Sequence, residues 1–227
     1  MRREPVSQCA SRSSCRSKTI ENAIVYVVDD DAAVRESLVW LLGSVGLRTV
    51  AFGGAAEFLD AFEDKGVCCL VSDVRMPGMS GLELQKALVA RGLEMPVILM
   101  TAFGDVSTAV KAMKAGAVDF IEKPFSNQDM LDLINAALQA DAERRQSNAA
   151  VEENAQMLAR LTPQEHRVYK RVVAGKSNRE IGAEMDISVK TVEVHRARVM
   201  RKLEAGSVAD LVRFHLAAGA GEPENSG

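Results

Sequence analysis

The chain has 227 residues, room for two modest domains, and a bland formal charge of -3 at neutral pH. That charge is unevenly spread: Asn22 to Leu138 holds nine Lys/Arg against sixteen Asp/Glu, whereas Leu161 to Ala218 holds eleven against seven. No apolar stretch approaches the roughly 18 residues that span a bilayer, which excludes a helical membrane protein, and the four cysteines follow no metal-ligand spacing. Residues 1–21 are rich in Arg and Ser without the apolar middle of a secretory signal, so a disordered start and a soluble, cytoplasmic protein are expected. From Ile24 onward, short apolar runs (Ile24–Val28, Leu47–Phe52, Val67–Ser72, Val97–Met100 and Ala117–Ile121) alternate with helical patterns such as Val34, Leu38, Leu41, Leu42 and Val45. Cys68 and Cys69 lie inside one of these runs, where free cysteines act as small core residues. Five such units predict an α/β doubly wound parallel sheet over residues 22–138, with helices on both faces. A closing helix is opened by Ser126 with Asp129 three residues on.

In that architecture ligands bind beyond the carboxyl ends of the strands. The polar residues gather there: Asp29, Asp30 and Asp31 after the first strand, Asp73 after the third, Thr101 after the fourth and Lys123 after the fifth. Asp31 is better explained as a helix cap. Carboxylates at Asp29, Asp30 and Asp73 would repel one another unless a cation joined them. An all-oxygen set of this kind suits Mg²⁺ (or Mn²⁺), which takes one or two carboxylates with water and phosphate oxygens. A carboxylate beside such an ion can attack a phosphoryl group, with Lys123 pairing the incoming charge and Thr101 donating a hydrogen bond.

The segments VVDDD (Val27–Asp31), SDVRMPGMSGLEL (Ser72–Leu84), MTAFGD (Met100–Asp105) and AMKAGAVDFIEKPF (Ala112–Phe125) closely resemble the receiver domain of FixJ-type response regulators. The resemblance implies that Asp73 is the phosphoacceptor, with Mg²⁺ held by Asp30, Asp73 and the backbone carbonyl of Arg75, and Asp29 assisting through water. It also implies a cis Lys123–Pro124 bond. Thr101 and Phe120 would form a switch, Phe120 turning inward behind Thr101 on phosphorylation; the alternative is a plain core aromatic. A helix over about 106–115 and the fifth strand would then form the surface that reports phosphorylation and carries dimerisation.

Residues 139–160 contain neither Gly nor Pro and are rich in Ala, Glu, Gln and Arg, which reads as a helical linker, stiff or frayed. Over 161–218, helix starts recur. Thr162-Pro163-Gln164-Glu165 and Ser177-Asn178-Arg179-Glu180 are capping boxes, Ser188 precedes another helix, and Ser207 with Asp210 opens a fourth. Four short helices fit a compact all-α domain built around a helix-turn-helix, followed by a disordered tail at 219–227. On Val189–Leu203 the spacing puts Val192, Val199 and Leu203 on a core face and Lys190, Val194, Ala197 and Arg201 opposite, flanked by Glu193 and Arg198. His195, at the edge of the core face, reads as a packing or phosphate-contacting residue.

The segments LTPQE, VVAGKSNREIGAEMDIS and VKTVEVHRARVMRKL closely resemble the LuxR/FixJ-type DNA-binding domain. That implies Lys190, Thr191, Glu193, Val194, Ala197, Arg198 and Arg201 as DNA-facing positions, with Gly182 standing where the family usually has Ala. The two resemblances together imply a two-component response regulator and no enzyme acting on external substrates. Its partners would be a sensor histidine kinase, double-stranded promoter DNA, a second copy of the chain and RNA polymerase. Two other readings are an aspartate-nucleophile phosphatase, which would want an acid where Arg75 stands, and a receiver whose helical domain binds protein instead of DNA.

Overall fold

A computed structural model describes residues 22–102 and 119–218. The expected disordered ends, residues 1–21 and 219–227, and the expected helix over 106–115 lie outside the described residues. The chain divides into two compact units, Met1–Arg145 and Gln146–Gly227.

The first unit is a parallel sheet in the order β2-β1-β3-β4-β5. Its strands are β1 (Ile24–Val28), β2 (Arg48–Phe52), β3 (Cys68–Asp73), β4 (Val97–Ala102) and β5 (Asp119–Lys123). β1 and β3 are buried along their whole length because both sheet faces are covered, which is why they read as unbroken apolar runs. β2, at the edge, is buried only at Phe52. Successive residues feed opposite faces. Tyr26, Val28, Cys68 and Leu70 pack with Phe58 of α2 (Ala55–Ala61) and with Leu84 and Leu88 of α3 (Gly81–Ala90). Val25, Val27, Cys69 and Val71 pack with Leu38 and Leu42 of α1 (Ala32–Ser44) and with Met130, Ile134 and Leu138 of α4 (Asn127–Ala159). The doubly wound sheet is therefore as expected, with β5 extending to Lys123, two residues past its expected end.

α4 runs without a break over Asn127–Ala159, 33 residues. The Ser126 hydroxyl accepts from the Asp129 N–H at its start. The helix carries a fully buried carboxylate, Asp141. One Asp141 oxygen accepts from the Cys68 N–H at 3.0 Å and Arg145 Nε at 2.7 Å, while Arg144 reaches the other. Arg145 also pairs with Asp64, between α2 and β3, and Arg144 with Glu94, between α3 and β4. Residues 139–145, which read as the start of a polar linker, are thus fastened to the lower loops of the sheet.

In the second unit α5 (Pro163–Val173), α6 (Asn178–Met185), α7 (Val189–Lys202) and α8 (Val208–Ala217) surround a core of Val168, Tyr169, Ile181, Val192, Val199, Leu203 and Leu211. Thr162 and Ser177 form complete capping boxes, and Ser188 and Ser207 cap with their hydroxyls. α6 ends at Asp186 in the left-handed region (φ 53°), and the next N–H, Ile187, donates back to the Gly182 carbonyl. A Cβ at Gly182 would lie 2.9 Å from the Ile187 carbonyl oxygen. The missing side chain of Gly182 therefore lets the turn fold tightly onto the helix.

Candidate functional sites

The acidic site stands at the carboxyl edge of the sheet, where β1, β3, β4 and β5 end side by side. Lys123, last in β5, places its ammonium 2.8 Å from Asp29 Oδ2 and 2.6 Å from Asp73 Oδ1. The cation that the sequence demanded between these carboxylates is thus partly supplied by the chain itself. Burial works against the charge on Lys123, yet the hydrogen bonds and charges of Asp29 and Asp73 prevail and raise its affinity for the proton. It is an ammonium at neutral pH.

The two acids are held differently. Asp29 is almost fully enclosed, and its polar atoms are tied on four sides. Its N–H donates to the Phe52 carbonyl, its carbonyl accepts from Arg35 Nη1 at 2.7 Å, Oδ1 accepts from the Asp31 N–H, and Oδ2 takes Lys123. The Asp73 side chain is 13% exposed against 1% for Asp29, so of the two only Asp73 is partly open to the surface. Its Oδ2 accepts from the Arg75 N–H at 2.6 Å. The main chain after Asp73 is pinned as well, since Val74 donates to Met100 and Gly81 donates to the Val74 carbonyl. Gly81 opens α3 directly against this turn, and a Cβ there would come within 2.3 Å of the Asp73 carbonyl oxygen. Only glycine permits that approach. The only trace of this contact in the sequence is a glycine directly after the helix cap Ser80.

Asp30 is exposed at the mouth, Thr101 is buried at the end of β4, and the Lys123–Pro124 bond is cis. Phe120 is 40% exposed, which removes the plain core-aromatic reading for this conformation. Among the described residues no three acids, imidazoles or thiols already converge on one point. Mg²⁺ does not require that, because it takes one or two carboxylates with retained water, and carboxylates at Asp30 and Asp73 are chemically suited to it.

On the second unit the surface of α7 sorts as the spacing predicted. Val192, Val199 and Leu203 are buried, while Lys190, Thr191, Glu193, Val194, Ala197, Arg198 and Arg201 are all exposed. The Thr191 hydroxyl is within hydrogen-bonding distance of Ser188 Oγ at the cap, 2.8 Å away. Arg196, outside the expected contact set, turns back to Asn178 on α6 at 2.8 Å and braces the two helices. His195 is half-buried with Nδ1 enclosed and lacking a hydrogen-bond partner among the described residues. Among the described residues no helix is long and apolar enough to cross a membrane.

A five-stranded parallel receiver sheet bearing an acid–lysine cluster, followed by a capped helix-turn-helix, defines a class: regulators whose input is a phosphoryl group and whose output is DNA. Family models agree with each half. Residues 25–135 match the response regulator receiver domain, and residues 159–215 match the bacterial regulatory proteins of the luxR family. The chain belongs to the FixJ-type transcriptional response regulators. It is 45% identical to the transcriptional regulatory protein FixJ of Bradyrhizobium diazoefficiens, over 86% of this chain and 95% of that one. It is 44% identical to the transcriptional regulatory protein TdiR of Thauera aromatica, over 87% of each. Among solved structures, the response regulator StyR matches with a TM-score of 0.79 at 43% identity, covering 85% of this chain and 98% of that one. Full-length FixJ from B. japonicum matches at 0.55 and 44% identity, over 88% and 98%. Phosphorylation control and DNA binding follow from this membership.

Proposed function

We propose that Asp73 is the phosphoacceptor of this regulator and that the exposed face of α7 is its DNA-reading surface. The observation that carries the first assignment is the unequal burial of the two acids sharing Lys123. Asp29 is enclosed, whereas the Asp73 side chain is partly open to the surface. A sensor histidine kinase would present a phosphorylated imidazole. A carboxylate oxygen of Asp73 attacks the phosphorus, the P–N bond breaks with its electrons passing to the imidazole nitrogen, and an acyl phosphate remains on Asp73. Lys123 then faces the new phosphoryl charge, and the Thr101 hydroxyl donates to one of its oxygens. Asp30, Asp73 and the Arg75 carbonyl would hold Mg²⁺ (or Mn²⁺), with Asp29 assisting through water, and the ion supplies charge neutralisation at the phosphoryl oxygens. Phe120, exposed in this conformation, turns inward behind Thr101 when the switch closes.

The wider reading follows from the same assignment. Residues 22–138 act as the receiver, 139–160 as the helical linker and 161–218 as the DNA-binding domain. The phosphorylated protein forms a homodimer in the cytoplasm, engages promoter DNA and works with RNA polymerase. It catalyses no reaction beyond its own phosphorylation and dephosphorylation. On α7, small residues at Val194 and Ala197 permit close approach to base edges. Lys190, Thr191, Glu193, Arg198 and Arg201 surround them with groups for bases and phosphates.

One experiment tests both parts. Full-length protein is treated with acetyl phosphate and Mg²⁺, then examined by intact mass and by binding to genomic DNA fragments over a range of salt. Asp73→Asn is expected to abolish phosphoryl uptake. Arg198→Ala and Arg201→Ala are each expected to weaken DNA binding and to flatten its salt dependence by about one unit of slope if that side chain meets a phosphate. Phosphoryl uptake by Asp73→Asn, or unchanged DNA affinity in both arginine variants, overturns the corresponding half.

A further inference from the structure

Arg35, on the first turn of α1, belongs to none of the residues so far given a role at the acidic site. Its Nη1 donates to the Asp29 carbonyl oxygen at 2.7 Å. Its backbone N–H donates to the Asp31 carbonyl at 3.1 Å. The same guanidinium nitrogen lies against the turn after β2, 4.0 Å from where a Cβ on Gly53 would stand, and the Gly53 N–H is itself held by Glu57. One side chain therefore links the start of α1 to the end of β1 and lies beside the turn after β2.

We propose that Arg35 is a positioning residue for the divalent cation, acting through the Asp29–Asp30 peptide. The Asp29 carbonyl and the Asp30 N–H share one rigid plane. Fixing that carbonyl fixes the N–Cα bond of Asp30, and the Asp31 N–H, held by Asp29 Oδ1, restrains the peptide on its other side. The base from which the Asp30 carboxylate is presented is set by these two bonds. Asp29 is already constrained by Phe52, Asp31 and Lys123, so Asp30, exposed at the mouth, is the acid whose aim depends on the Arg35 bond. A guanidinium-to-carbonyl bond is charge-assisted and holds better than a neutral one. Residues that orient metal ligands without touching the metal commonly change its affinity on the order of tenfold or more.

The sign of the effect separates this role from simple electrostatics. Removing a positive charge beside three acids should strengthen cation binding by Coulomb's law, whereas losing the orientation of Asp30 should weaken it. The proposal rests on the reading of Asp30 as a Mg²⁺ ligand, so its test includes that residue. Mg²⁺ binding to the unphosphorylated full-length protein is measured by titration calorimetry for wild type, Arg35→Ala, Arg35→Lys, Asp30→Asn and the double variant Asp30→Asn/Arg35→Ala. Arg35→Ala is expected to weaken Mg²⁺ affinity on the order of tenfold, Arg35→Lys to recover part of the loss, and the double variant to bind no more weakly than Asp30→Asn. The phosphorylation rate with acetyl phosphate at saturating Mg²⁺ should fall far less than the affinity. Unchanged or tighter binding in Arg35→Ala, or strictly additive losses in the double variant, overturns the proposal. Should Arg35→Ala not fold, Arg35→Met decides, because it keeps the apolar stem and removes the donor: unchanged or tighter Mg²⁺ binding in that variant overturns the proposal. If wild type and Asp30→Asn bind Mg²⁺ alike, the ligand assignment of Asp30 fails instead.

Discussion

Glu165 is a buried carboxylate that stays charged because two elements feed it hydrogen bonds. Lys202 Nζ lies 2.6 Å from Oε2, and the Thr162 N–H donates to the same oxygen at 2.9 Å. The lysine contributes most and the capping N–H next, and together they pull the Glu165 pKa down to about 2 from an ordinary 4.5. A folded-state value below the unfolded one gives stability that is fully present above about pH 4.5 and lost as the pH falls toward 2. Glu165→Gln should therefore lower the stability of the second unit at neutral pH by about 1–3 kcal/mol. The gap from wild type should close between pH 4.5 and 2, as read by helical circular dichroism in urea; a gap that persists at pH 2 refutes the assignment. Half of this arrangement was legible in T-P-Q-E, since capping boxes are local. Lys202 was not, because it lies 37 positions away and only the packing of α7 on α5 delivers it.

α4 shows what helix-forming composition can and cannot say. The absence of Gly and Pro made an unbroken helix reasonable, and residues 127–159 are helical throughout. The pattern gave no hint that Asp141 is buried, because a charged residue in a polar, alanine-rich stretch ordinarily faces water. It is enclosed because a backbone donor and two arginines satisfy it at once. Asp141→Ala would leave the Cys68 N–H without its acceptor and both guanidinium groups without their shared partner. The receiver should lose about 2–4 kcal/mol, measured by urea unfolding. Asp141→Asn should lose less, because the amide oxygen still accepts from Cys68. Equal losses in the two variants would show that charge, and not the Cys68 bond, is what the cluster supplies.

For the whole molecule, the contrast between an acidic and a basic half corresponds to two units with separate cores. Strand and helix alternation was legible because both faces of the sheet are covered, which leaves β1 and β3 as pure apolar runs. The acidic cluster was legible too, because the topology brings the strand ends together. What was hidden is the order of dependence within it. Which acid is locked and which is open depends on Phe52, Arg35 and Lys123 arriving from β2, α1 and β5. Gly81 and Gly182 were hidden for a similar reason, since each answers to a backbone atom in another turn.

Cys68 and Cys69 give this sheet a built-in chemical probe. Burial, followed by the charge of Asp141, pushes the Cys68 thiol up to about 11, and burial holds Cys69 higher still, so neither is a thiolate at neutral pH. Alkylation must wait for the protein to open. The two side chains enter opposite cores, one beside Phe58 and the other beside Leu42 and Ile134. A pulse of iodoacetamide followed by peptide mass spectrometry should report the opening of each face separately. In Asp141→Ala, labelling of Cys68 should accelerate more than labelling of Cys69. Equal acceleration would mean that the two layers of the receiver open as one.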